Sequence, residues 1–221
     1  TVVSTPMIDV VAPAKNVGVI KTLTGFKYIG EKIRQFENKE IDGTYILGFE
    51  ESYGYLIGTH ARDKDAIVSS LLIAEMAAFY NSKGTSIYKE LQKLYQEFGY
   101  YLEGIKSVTL TGKDGIEKMA NLMTELRETV KDRTIDKNIK IKRDFKTKKE
   151  LIVATGEEKD ILLPVENVIQ FVLEDDTYIT ARPSGTEPKI KFYFSVNAPT
   201  KEEVEKKLNE TMEKFVATLK L

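Results

Sequence analysis

The stretch TARPSGTEPKIKFYF, Thr180–Phe194, sets an arginine, a proline, a serine, a glycine and a threonine in near succession before an alternating run. Hydroxyl groups and consecutive backbone N–H groups around a glycine can form a concave nest for an anion. An arginine at the mouth adds a planar fork that matches two phosphate oxygens at once. Arg182, Ser184, Gly185 and Thr186 are the candidate residues, and Lys189 and Lys191 follow on one face of the next run. A phosphomonoester carries about −1.5 to −2 charges at neutral pH, which one such loop and two cations complement. The same residues also suit an ordinary turn between two strands, with Arg182 at the surface. No G-x-x-x-x-G-K-[ST] occurs, so this is not a nucleotide P-loop.

A second constellation is LGFEESYGYLIGTHARDKD, Leu47–Asp65. Glu50 follows directly on a strand-like run, where an α/β sheet presents its ligand-facing loops. A carboxylate there can accept hydrogen bonds from two neighbouring sugar hydroxyls, with Ser52 donating or accepting beside it. On composition alone Glu50 and Glu51 equally suit a cap or a solvated turn. Arg62-Asp63-Lys64-Asp65 equally suits a charge cluster at a helix start, with Asp65 as the cap. Thr24-Gly25 reads as a helix start. His60 is the only histidine and there is no cysteine, which excludes disulfides, thiolate nucleophiles and cysteine–metal sites. No metal-ligating cluster is expected. The tyrosines at 53, 55, 100 and 101 are spaced like packing residues rather than a stacking platform for bases.

The elements that must position these residues fall into two groups. Val2–Ser4 reads as the tail of a strand, Met7–Ala14 as a short helix and Val17–Thr22 as a strand. Phe26, Ile29, Ile33 and Phe36 repeat with the helical period. Thr44–Phe49 reads as a strand, and Glu50–Asp65 as a glycine-punctuated loop. Asp65–Asn81 is apolar around most of its circumference and reads as a buried helix. Ile87–Phe98 is a further amphipathic helix. Strands alternating with helices imply an α/β domain with a mostly parallel sheet over residues 1–99.

Residues 104–221 follow another pattern, that of an α+β domain with an antiparallel sheet. Strands are expected at Lys106–Thr111, Ile139–Phe145, Val168–Leu173, Thr177–Arg182 and Ile190–Val196. Lys146–Glu150 reads as a solvated turn and Glu174-Asp175-Asp176 as a hairpin turn. Helices are expected at Gly115–Val130 and behind Thr200, where Thr200 and Glu203 form a capping-box pattern.

The chain has 221 residues, 42% hydrophobic and 30% charged, and a formal net charge of −1. That balance fits two domains with their own cores and argues against a broad attraction to nucleic acid. The opening TVVSTPMIDVV has no basic region and no sustained apolar core, so no signal peptide or membrane span is expected. It reads as starting within a strand of something longer. A reducing cytoplasm suits the absence of cysteine.

Three separated signatures occur in order: LTGFK at Leu23–Lys27, FEESYG with HARDKD across Phe49–Asp65, and RPSGTEPKIKFYF at Arg182–Phe194. Together they resemble those of the α-D-phosphohexomutases, the phosphoglucomutase and phosphomannomutase family. The resemblance spans nearly the whole chain and matches the third and fourth of the family's four domains. The Glu-Pro-Lys after the loop resembles the bacterial-type phosphoglucomutase branch. By this resemblance Thr24 and Gly25 line a cleft, and Glu50 and Ser52 hold two adjacent hexose hydroxyls. Lys64 contacts substrate with Arg62 in support. Arg182, Ser184, Gly185, Thr186 and Lys189 grip the phosphate that is not being transferred. The resemblance also implies Mg²⁺ in a full-length enzyme and glucose 1,6-bisphosphate as the intermediate. The family's phosphoserine loop and its D-G-D-G-D type metal loop do not occur in this sequence. The expectation is therefore the substrate-binding half of a hexose-phosphate mutase, with no catalytic or metal-binding residue of its own and inactive alone. Its expected partners are a phosphosugar and the missing N-terminal domains of the same polypeptide. The alternative is a stand-alone phosphosugar-binding module.

Overall fold

The structure, a computed structural model, describes residues 1–112, 114–128, 138–185 and 187–219. It divides into two compact units, Thr1–Phe98 and Gly99–Leu221.

The first unit contains helices α1 (Ile8–Ala14), α2 (Phe26–Glu37), α3 (Ala66–Ser82) and α4 (Ile87–Phe98), with strands β1 (Leu47–Glu50) and β2 (Gly54–Ile57). The helical spacing of Phe26, Ile29 and Ile33 places all three on one side of α2, and they bury against Leu56 with Tyr45 and Ala61. The Tyr45 hydroxyl donates to the Leu56 carbonyl at 2.9 Å, which ties the stretch before β1 to β2. Asp65 caps α3, its carboxylate accepting from the N–H groups of Ile67 and Val68 at 2.8 and 3.1 Å.

Five expectations for this unit need correction. β1 and β2 pair antiparallel, Leu47 opposite Ile57 and Glu50 opposite Gly54, instead of lying in a mostly parallel sheet. A connection of only three residues, Glu51–Tyr53, can return the chain beside itself but cannot make a parallel crossover. β2 itself lies in what the sequence presents as a loop. Val2–Ser4 is a turn, and Val17–Thr22 belongs to no described strand or sheet, although Val2 N–H donates to the Thr22 carbonyl at 2.8 Å. Finally, α3 is exposed. Ile67, Leu71 and Phe79 are 85, 59 and 52% accessible, and Ser69 is its buried residue. Uniform apolarity shows that a helix has no preferred solvent face, whereas burial depends on which neighbours reach it.

The second unit is a seven-stranded antiparallel sheet in the order β3-β9-β8-β7-β4-β5-β6. Its strands are β3 (Tyr100–Thr109), β4 (Ile139–Asp144), β5 (Lys149–Ile152), β6 (Glu157–Asp160), β7 (Ile169–Leu173), β8 (Tyr178–Pro183) and β9 (Lys189–Ala198). Helices α5 (Gly115–Glu128) and α6 (Lys201–Thr218) supply the rest of its core. Ile190, Phe192, Phe194 and Val196 alternate along β9 and meet Leu122, Met123 and Leu126 of α5 and Val204, Leu208 and Phe215 of α6. Phe192 and Phe194 lie edge-on to Phe215, with ring centroids 5.3 and 5.6 Å away. α6 begins at Thr200, whose hydroxyl accepts from Glu203 N–H at 3.2 Å.

An α/β region followed by an antiparallel α+β region is thus the arrangement of the chain, as expected. Three details of the second differ, the first being that β3 begins at Tyr100 and not at Lys106. Lys149 and Glu150, read as part of a solvated turn, open β5 and pair with β4. β6, Glu-Glu-Lys-Asp, is exposed throughout and has no apolar alternation to announce it; its charges suit an edge strand that must not recruit another chain. Val130, the expected end of α5, lies outside the described residues. Among the described residues no helix is long and apolar enough to cross a membrane.

Candidate functional site

The RPSGTEPK segment joins β8 to β9 and is closed by its own backbone. Ser184 N–H donates to the Lys189 carbonyl at 2.7 Å, and Lys189 N–H donates to the Glu187 carbonyl at 2.8 Å. Glu187 N–H donates to the Ser184 hydroxyl oxygen at 3.3 Å, so that side chain braces the turn as well as lining it. Thr186 lies outside the described residues. The far end of the loop is anchored by Leu110 N–H, which donates to the Pro188 carbonyl at 2.8 Å. Gly115, the first residue of α5, fits closely behind it. A Cβ on Gly115 would lie 2.1 Å from the Leu110 carbonyl oxygen and 3.0 Å from Pro188 Cβ.

Charge is concentrated beside this loop. Arg182 stands directly opposite Lys191 in the β8–β9 pairing, and the two-residue period of β9 puts Lys189 on the same face. No ion pair among the described residues engages Arg182, Lys189 or Lys191. Like charges directly opposite each other are unfavourable, and an anion seated between them relieves that repulsion. The strand that carries Arg182 is held laterally by a row of polar groups. Arg143 donates to Glu150 at 2.6 Å and to Gln170 at 2.9 Å, and Gln170 donates to Thr180 at 2.9 Å. Thr180 lies two residues before Arg182 on the same face of β8.

In the first unit the structure gathers Glu50, Ser52 and Lys64. Glu50 ends β1 and is 4% exposed. Its Oε1 accepts from Lys64 Nζ at 2.5 Å and from Ser52 Oγ at 2.8 Å. Burial pushes the carboxyl up, but the hydrogen bonds from Lys64 and Ser52 outweigh it and hold Glu50 below its ordinary value. The same contact raises Lys64, whose side chain remains 48% exposed. A buried carboxylate kept ionised by two donors at one oxygen is suited to accepting hydroxyl protons at the other.

The remaining candidates are placed differently. Arg62 donates to Glu37 of α2 at 2.5 Å and to the carbonyls of Thr59 and Ala61, so its guanidinium is committed to the scaffold. His60 pairs with the Asp65 cap at 2.9 Å. Gly25 precedes α2 at φ +121°, in the region that favours glycine, and Thr24 beside it is half-buried. Sequence reasoning took Gly54 only as a turn glycine of the Glu50–Asp65 loop and passed over Gly115; the steric importance of both needs neighbouring atoms to be seen. Among the described residues no group of three His, Cys, Asp or Glu side chains could hold a metal ion. The described residues therefore do not fit Mg²⁺.

The chain thus presents two separate features, a hydroxyl-rich cationic loop on the second unit and a buried carboxylate held by two donors on the first. Comparison with known proteins gives the family. Residues 1–98 match the family model described as phosphoglucomutase/phosphomannomutase, alpha/beta/alpha domain III. The phosphoglucomutase of Staphylococcus aureus (strain MRSA252) is 35% identical over 209 residues, covering 95% of this chain and 37% of that protein. That of Staphylococcus epidermidis (strain ATCC 12228) is 34% identical over 212 residues, covering 96% and 38%. Among solved structures, the pp63/parafusin phosphoglucomutase of Paramecium, in its open form, superposes with a TM-score of 0.65 at 19% identity. It covers 98% of this chain and 36% of that one, a likeness of fold. The chain belongs to the phosphoglucomutase/phosphomannomutase family and corresponds to its C-terminal part. It spans a little over a third of the length of the curated relatives it matches.

Proposed function

We propose that this chain is the substrate-binding part of a hexose-phosphate mutase, acting on glucose phosphates in the cytoplasm. The observation that carries the reading is the β8–β9 loop, where Arg182, Lys189 and Lys191 share one face with no ion-pair partner among the described residues. In this reading Arg182, the Ser184 and Gly185 backbone, Thr186 and Lys189 hold a phosphate that is not transferred. Glu50 and Ser52 hold neighbouring hexose hydroxyls, and Lys64 supplies a cation beside them. Thr24, Gly25 and Arg62 shape and support the sugar side.

The role of these residues is positioning. Phosphoryl transfer depends largely on alignment and charge stabilisation, and a socket for an untransferred phosphate serves alignment. The phosphoryl donor and Mg²⁺, which supplies charge balance at the reacting oxygens when bound, belong to parts of a longer polypeptide. The 221-residue chain is accordingly inactive alone.

Isothermal titration of the chain with glucose 1,6-bisphosphate tests this reading. Saturable binding with a Kd of about 1 mM, or about −4 kcal/mol, is expected, with loss of binding in Arg182→Ala. A folded chain that takes up no ligand at 10-fold higher concentration, or an Arg182→Ala variant that binds as well as the unmodified chain, overturns it.

A further inference from the structure

Gly54 faces Glu50 across the β1–β2 pair and is buried. Its φ is not positive, since it is not among the glycines in the left-handed region, so the backbone itself does not call for glycine there. The requirement is steric. A Cβ on Gly54 would lie 2.8 Å from Glu50 Cγ, 2.9 Å from Glu50 Oε1 and 3.0 Å from Lys64 Cδ. Approaches this close are not available to a real methyl group. Lys64 can yield through its flexible stem, but Glu50 Cγ belongs to an enclosed side chain. Rotating that stem carries Oε1 away from both of its donors, Ser52 Oγ and Lys64 Nζ. Elsewhere the chain carries glycines with no such neighbours: a Cβ on Gly25 or Gly185 would meet nothing within 4 Å.

We propose that Gly54 is a positioning residue for the proposed hydroxyl-binding site, its missing side chain leaving the space in which the Glu50 carboxylate, Ser52 and Lys64 close on one another. The inference rests on the reading of Glu50 as the carboxylate that holds the sugar. Gly54 touches no ligand itself; it sets where Oε1 sits, and so where Oε2 is presented.

The test follows the Glu50 carboxyl by carbon NMR across pH in the ligand-free 221-residue chain. It compares the unmodified protein, Gly54→Ala, Lys64→Ala and the double variant, with thermal unfolding recorded for each. Gly54→Ala is expected to raise the Glu50 midpoint, because burial persists while the two donors are displaced. It is also expected to weaken glucose 1,6-bisphosphate binding about ten-fold, the size of losing a hydrogen bond to a charged group. A Gly54→Ala protein with lowered stability but an unmoved Glu50 midpoint reduces Gly54 to a packing requirement and overturns the inference. If Gly54→Ala does not fold, the double variant, freed of the Lys64 Cδ contact, is compared with Lys64→Ala. A higher Glu50 midpoint in the double variant supports positioning; an equal midpoint, or failure to fold, overturns it. Because the midpoint is read without ligand, a chain that binds no phosphosugar sinks the proposed function while leaving this inference to stand or fall separately.

Discussion

Glu50 is enclosed, and enclosure alone would favour its neutral form. Lys64 and Ser52 reverse that preference from a single side, and the carboxyl is held below its ordinary value of 4.5. A carboxyl depressed in the folded state contributes stability that is present above its unfolded pKa and is lost as pH falls through its folded pKa. The stability difference between the unmodified chain and Glu50→Gln is therefore expected to be constant above about pH 5 and to shift against the unmodified chain below about pH 4.5. Urea unfolding at a series of pH values measures it. Lys64→Ala should move the midpoint of that change upward, since burial then faces only the Ser52 hydrogen bond. An unchanged midpoint would mean that the Lys64 contact does not hold the carboxylate in solution. Ser52 beside Glu50 was legible in the sequence, but the Lys64 contact was not. Fourteen residues separate Glu50 from Lys64, and only the family resemblance set them beside one substrate.

At the scale of elements, legibility followed pattern. The period of two in β9, with Ile190, Phe192, Phe194 and Val196 turned to one side, and the Thr200 cap of α6 were both readable, and the structure contains both. β6 was not readable, because Glu157–Asp160 is charged on both faces and carries no alternation. β2 was hidden among glycines, with only Leu56 fully buried to mark a core-facing position. α3 shows the limit of composition: its residues are apolar and its surface is open. That contrast gives a prediction. Ile67→Lys should change the stability of the chain by no more than about 0.5 kcal/mol, as for an ordinary surface site. Phe215→Ala, which empties a place against Phe192 and Phe194, should cost about 3–5 kcal/mol. Chemical denaturation of the two variants separates them, and comparable losses would show that the exposed face of α3 is covered in solution.

For the molecule as a whole, the two units differ in how much they bury. The described core of the second gathers eighteen buried residues from sheet and helices, whereas that of the first centres on Phe26, Ile29, Ile33 and Leu56. Local opening is easiest where few apolar contacts must be broken. Amide hydrogen exchange should therefore be slowest in β7, β8 and β9 and faster in α2 and β1; the reverse order would mean that the smaller core is the more stable one. The seat of the proposed phosphate site belongs to the better-buried unit, so its loop is carried by rigid strands. The central claim is that this loop, and not merely the net charge near it, receives phosphate. Backbone amide NMR of the chain during titration with glucose 1,6-bisphosphate tests it most directly. Saturable shifts at Ser184, Gly185, Glu187 and Lys189, lost in Arg182→Ala, are predicted. Saturable shifts that spare those amides, or that survive the substitution, would contradict the account.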